Sequence, residues 1–291
     1  MSVTGTGIAR RTATVGEHVV SYLEAGEPTA PTVLLLHGLA SDATTWDLAV
    51  EPLAAQGLHV LALDLIGHGQ SDKPESTYLL TDFADLLALF LPAVGVARVT
   101  LCGHSFGGAI AVHFAHHFPQ FVDGLVLVSA GGLGREVHPV LRAASLPGAD
   151  RVLAAATAPP LWRVYRRPEL HRLLRLTPEN LVNLRRAARS LRDSRARAAF
   201  LASLRGVIEP GGQRGTFQEM EYLDPALPLL LVWTEGDPVI PVEHAYATRD
   251  FVPGSELVVF PGTGHEPHRR HAQRFAEEVA RFVTSHSGST S

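Results

Sequence analysis

Cysteine is nearly absent from this chain: one residue, Cys102, in 291. A lone thiol excludes a disulfide framework and a cysteine-rich metal site. Lysine is reduced to Lys73, so positive charge is carried by arginine. No apolar run approaches the roughly 18 residues that a membrane span requires, and the opening MSVTGTGIARRTATVGEHVV holds no signal-peptide apolar core. No H-E-x-x-H pair, Walker loop or G-x-G-x-x-G fingerprint occurs, so neither metal nor nucleotide is implied. The formal net charge of −4 supplies no general pull toward nucleic acid or an anionic membrane. These absences lead to the expectation of a soluble, cytoplasmic protein without a nucleic-acid partner or a membrane span.

What is present is an alternation. TVLLLHG (32–38), HVLALDL (59–65), RVTLCG (98–103), GLVLVSA (124–130), PLLLVWT (228–234) and ELVVFPG (256–262) are short, near-continuous apolar runs, as expected of strands buried on both faces. TDFADLLALFLPAVG and FGGAIAVHFAHHF lie between them with helical spacing. This predicts an α/β fold with a mostly parallel sheet. ARRTATV and HVVSYLEAG read as an antiparallel hairpin at its edge.

The alternation stops after Ala130. Residues 133–215 contain no strand-like run and read as helices broken by Pro and Gly, in LPGAD, TAPP, RRPEL, LTPEN and EPGG. The expected division is a core of 1–132 and 216–291 with a helical insertion at 133–215. That insertion holds sixteen Arg against six Asp or Glu, so it is basic within an acidic chain. Solvated helix faces explain such a pattern, and so does an entry that attracts anionic substrates or lipid head groups.

Gly103-His104-Ser105-Phe106-Gly107 fits G-x-S-x-G between an expected strand and an expected helix. A serine on so sharp a turn is exposed and strained, and the glycines remove Cβ atoms that would strike neighbouring backbone. A serine hydroxyl needs a base. Of the 15 histidines, His265 in PGTGHEP directly follows the last apolar run, where chemistry gathers in parallel sheets. Asp237 in WTEGDPVIP follows the run before it and would fix the tautomer of that base; Glu235 is the rival acid. Ser105, Asp237 and His265 thus stand in the order nucleophile, acid, base, each just past a strand. An oxyanion would take one N–H from Phe106 and another from the loop after TVLLLHG, at Leu39 or alternatively Ala40. Gly38, His104 and Trp162 are the expected substrate-contacting positions. Trp46 is expected beneath the oxyanion loop, and Asp64-Leu65-Ile66-Gly67-His68-Gly69-Gln70-Ser71 reads as architecture.

Together these stretches resemble the α/β-hydrolase superfamily, from about Val19 to Val283, with the insertion in the position of that family's cap after the sixth strand. The resemblance implies nucleophile Ser105, acid Asp237, base His265, oxyanion donors Leu39 and Phe106, and no cofactor. A small-molecule substrate and a monomer or homodimer are expected. Serine rather than aspartate at the elbow sets the chain apart from haloalkane dehalogenases and epoxide hydrolases. GGLG at 131–134 is similar to a stretch of the hydrolases that cleave carbon–carbon bonds of aromatic ring-fission products, but His104 and Glu266 stand where those enzymes usually carry Asn and Trp. The expected activity is hydrolysis of a small to medium, largely apolar carboxylic ester through an acyl-enzyme. Carbon–carbon hydrolysis is the alternative, then a perhydrolase or haloperoxidase activity, and last a non-catalytic ligand-binding protein.

Overall fold

The computed structural model describes residues 7–158, 185–214 and 223–286. In chain order they form β1 (Ala9–Val15), β2 (His18–Ala25), β3 (Thr32–Leu36), α1 (Asp47–Ala55), β4 (His59–Leu63), α2 (Leu80–Ala93), β5 (Val99–His104), α3 (Phe106–His117) and β6 (Val122–Val128). The insertion contributes α4 (Pro139–Ala144), α5 (Ala149–Ala156), a helical stretch at 185–190, α6 (Ser194–Val207), β7 (Ile208–Glu209) and β8 (Gly212–Gln213). The chain then returns to β9 (Leu229–Gly236), α7 (Glu243–Phe251), β10 (Glu256–Thr263), α8 (Pro267–Arg270) and α9 (Ala272–His286).

Eight strands form one sheet in the order β1-β2-β4-β3-β5-β6-β9-β10. From β4 to β10 every neighbouring pair is parallel, while β1–β2 and β2–β4 are antiparallel. The edge hairpin and the parallel sheet are therefore as the sequence predicts. The apolar runs become strands because their side chains split between two cores. Leu34 and Leu36 of β3 join one cluster, Val33 and Leu35 the other. Leu125 and Leu127 of β6 alternate in the same way with Val126 and Val128. A period of two sends successive residues to opposite faces, so helices must cover both. Residues of α2 and α3 complete one cluster; residues of α1 and α9 complete the other. In α9, Phe275, Ala276, Val279, Phe282 and Val283 recur at helical spacing and are buried, each large side chain contributing about 2 kcal/mol.

The insertion has its own small core, built from Ala149, Leu191, Phe200, Leu201, Leu204 and Ile208. α6 starts where the Asp193 carboxylate accepts from the N–H groups of Arg195 (2.8 Å) and Ala196 (3.4 Å), a capping role. One feature departs from the all-helical expectation. β7 and β8 pair across the EPGG turn, and Gln213 ties this ladder to the core: its Oε1 accepts from Gly132 N–H at 2.8 Å and its Nε2 donates to the Glu136 carbonyl at 3.0 Å. Strands of two residues are too short to leave a periodic signature. Trp162 lies outside the described residues.

Candidate active site

β5 runs into α3 through a single residue, Ser105, at φ 54° and ψ −116°. Such a conformation costs a non-glycine residue about 1–3 kcal/mol, and the surroundings hold it there. The Ser105 N–H donates to the Val128 carbonyl (3.0 Å), and the Ser105 carbonyl accepts from Gly108 (3.0 Å) and Gly131 (2.8 Å). Side chains at the flanking glycines would break the turn: a Cβ on Gly103 would lie 2.3 Å from the Gly107 carbonyl oxygen, and one on Gly107 2.4 Å from that of Leu36. Within 101–110 every residue except Ser105 is buried. Phe106 opens α3, so its N–H has no intrahelical acceptor and sits at the positive end of the helix.

β9 and β10 are parallel neighbours, so the segments that follow them emerge at the same sheet edge. Asp237 comes directly after β9 and His265 two residues after β10. The His265 Nδ1–H donates to the Asp237 carboxylate, 2.8 Å from Oδ2 and 3.1 Å from Oδ1. Oδ1 also accepts from the N–H groups of Val239 (2.8 Å) and Ile240 (3.1 Å). Burial pushes the Asp237 carboxyl up, but the charge and hydrogen bond of His265 and the two backbone donors outweigh it, leaving the pKa below the ordinary carboxylate value. Glu235, the rival acid, is exposed. With Nδ1 committed as donor, Nε2 of a neutral His265 carries the free lone pair.

Beneath these groups lies a layer of buried imidazoles. The His104 Nε2–H donates to the His265 carbonyl at 2.8 Å, and the two rings lie 4.7 Å apart. Burial, and then the neighbouring His265, push His104 down to about 3, so the ring is neutral. His104 is thus an enclosed brace between the serine turn and the histidine loop. Trp46, fully buried as expected, packs 4.2 Å from His268 and 6.3 Å from His104.

His37 organises the loop after β3. Its Nδ1–H donates to the Gly38 carbonyl at 2.8 Å, and its Nε2 accepts from Leu65 N–H at 3.1 Å. In a trans peptide the N–H points opposite to the carbonyl, so the Leu39 N–H is turned away from the His37 ring. Gly38 packs directly on the serine: a Cβ there would lie 3.1 Å from that of Ser105. The Asp64 stretch is a scaffold. Its buried carboxylate accepts from Ala43 N–H (2.7 Å), Gln70 N–H (2.9 Å) and Arg10 (2.7 Å).

Sequence reasoning missed one cluster. Arg186, from the helical stretch of the insertion, reaches into the core and donates to Thr45 Oγ1 and Glu266 Oε1, both at 3.3 Å. Thr45 donates to the same Glu266 oxygen at 3.1 Å. Only 12% of the Arg186 side chain and 8% of that of Glu266 are exposed. A cap residue is thereby paired, out of water, with the residue that follows His265. The one signal in the sequence is a carboxylate in the apolar-flanked G-H-E-P turn, and nothing there names its partner.

The family model of the alpha/beta hydrolase fold matches residues 31–272. The chain belongs to this family. The family fold and hydrolase-named relatives support a hydrolase. An uncharacterized protein of Mycobacterium tuberculosis is 39% identical over 258 residues, covering 87% of this chain and 75% of that protein. A 2-hydroxy-6-oxo-6-(2'-aminophenyl)hexa-2,4-dienoic acid hydrolase of Metapseudomonas resinovorans is 27% identical, covering 90% of this chain and 87% of that enzyme. Among solved structures, the esterase RhEst1 from a Rhodococcus species is similar with a TM-score of 0.69 and 26% identity, covering 96% of this chain and 99% of that one. Among the described residues no helix is long and apolar enough to cross a membrane.

Proposed function

We infer that this hydrolase cleaves carboxylic esters of small to medium, largely apolar substrates through an acyl-enzyme on Ser105. The observation that carries this reading is the His265–Asp237 pair, held at the same sheet edge as a strained, accessible serine. His265 Nε2 takes the Ser105 proton as Oγ attacks the ester carbonyl. The tetrahedral oxyanion is met by the N–H groups of Phe106 and Leu39. His265 then returns its proton to the leaving alcohol, and water, activated by the same nitrogen, releases the acid. Asp237 stays ionised throughout and holds the imidazolium. Each oxyanion donor is worth about 3 kcal/mol in the transition state.

The likeness to a dienoic acid hydrolase and the GGLG stretch favour one second reading, hydrolysis of a carbon–carbon bond by the same groups. Hydrolysis of p-nitrophenyl esters, from acetate to long acyl chains, separates the two when run with wild type and Ser105→Ala. Turnover that peaks at a short or medium chain and vanishes in the variant is expected. Absence of turnover on every ester, with cleavage of a ring-fission product, would move the assignment to the second reading.

A further inference from the structure

A cleft of about 560 Å³ runs between the helical stretch at 185–190 and the loops that follow β3 and β4. Its walls carry five cationic side chains: Arg10, Lys73, Arg185, Arg186 and Arg189. Three carboxylates also reach it, and each is already in use. Asp64 holds Arg10 and two backbone donors. Asp42 accepts from the N–H (2.9 Å) and hydroxyl (2.5 Å) of Thr44, and Asp193 caps α6.

The cations divide differently. Arg10 and Arg186 are paired with Asp64 and Glu266. Among the described residues Lys73 donates to the neutral carbonyls of Gly69 (2.8 Å) and Ser71 (3.0 Å) and forms no ion pair. Arg185 and Arg189 form no ion pair among the described residues. They are four residues apart, hence on one face of the helical stretch. Arg186 lies about 100° around the helix from Arg185 and about 60° from Arg189, and its buried anchorage to Glu266 and Thr45 holds this stretch against the core. Two guanidinium forks and an ammonium lining one cleft suit the oxygens of a phosphate group.

The cleft is also beside the chemistry. Asp42 and Thr44 belong to the loop that begins with Gly38, which packs on Ser105. β4 lies two strands from β5, a lateral distance of about 10 Å. We propose that this cleft binds a phosphate group of the substrate through Arg185, Arg189 and Lys73, at the same sheet edge as the ester carbonyl. The substrate claim rests on the ester-hydrolase reading above; the binding claim does not.

The experiment therefore has two arms, each run on wild type, Arg185→Ala/Arg189→Ala and the corresponding Lys double variant. Calorimetric titration with glycerol 3-phosphate tests binding alone, and co-sedimentation with phosphatidylglycerol vesicles tests a lipid source of the same group. At least tenfold weaker binding in the Ala variant, partly rescued by Lys, is expected for one of these ligands; equal binding by wild type and the Ala variant to both overturns the proposal. Vesicle binding without glycerol 3-phosphate binding assigns the phosphate to a lipid; the converse assigns it to a soluble ester. The second arm measures kcat/KM for a phosphate-bearing ester relative to a neutral ester of equal acyl length. A tenfold fall of this ratio in the Ala variant supports the substrate claim, and an unchanged ratio overturns it. If wild type turns over no ester, the ester reading fails while the binding arm still decides the cleft.

Discussion

The carboxyl edge of the sheet and the insertion between β6 and β9 are built on opposite terms. At the sheet edge the polar groups are buried and committed: Asp237 to His265 and two backbone donors, Asp64 to three donors, His37 to the Gly38 carbonyl and the Leu65 N–H, and His104 to the His265 carbonyl. In the insertion most of the described arginines are exposed, and the small apolar core leans on the loop after β3 through Leu39 and Ala40. Arg186 crosses the seam and is the exception, a cap arginine treated like an edge residue. The sheet edge is thus buried and strained, while the described part of the insertion turns most of its arginines to solvent.

The contrast predicts effects of falling size. Ser105→Ala or His265→Ala should lower ester kcat by about 10⁴-fold or more without unfolding the chain, and Asp237→Asn should cost orders of magnitude through a wrong tautomer. Steady-state kinetics beside thermal melts check this, and damage from Glu235→Gln in place of Asp237→Asn would reassign the acid. Arg186→Ala removes one of two guanidinium partners of buried Glu266, which keeps Arg269 at 3.8 Å and the Thr45 hydroxyl, so the loss should not exceed about 3 kcal/mol, the lower end for a broken buried pair. Urea unfolding should register that loss, whereas Arg195→Ala on the exposed cap face should stay within about 0.5 kcal/mol.

A smaller effect is tied to pH. Burial holds His68 and His104 at about 3, from 6.5. The unfolded chain therefore binds more protons than the native one between these values. Their contribution is complete above pH 6.5 and is lost as pH falls toward 3. Each should cost about 2 kcal/mol at pH 5. Unfolding free energies at pH 7 and pH 5 test the sign, and His104→Gln should shrink the difference. The smallest effect is expected at the exposed Arg98–Asp123 pair: Asp123→Asn should change stability by less than about 1 kcal/mol.

What could be read in advance follows the same division. The common edge of Ser105, Asp237 and His265 was legible because each closely follows an apolar strand, and parallel strands bring such positions to one edge. The scaffold role of Asp64 was legible because glycine and serine at fixed spacing surround it. The seam was not. Thr45 and Glu266 are 221 residues apart, and Arg186 is one of many arginines in a region whose helical faces allow several packings. His104 was expected among substrate contacts from its place beside Ser105; its orientation beneath His265 depends on how two distant loops stack, which no local pattern encodes.

The most direct test of the serine mechanism is covalent labelling with a fluorophosphonate, read by intact mass and peptide mapping. A single adduct on Ser105, formed rapidly in wild type and far more slowly in His265→Ala, is the predicted result. An unlabelled protein, or an adduct on any other residue, would contradict it.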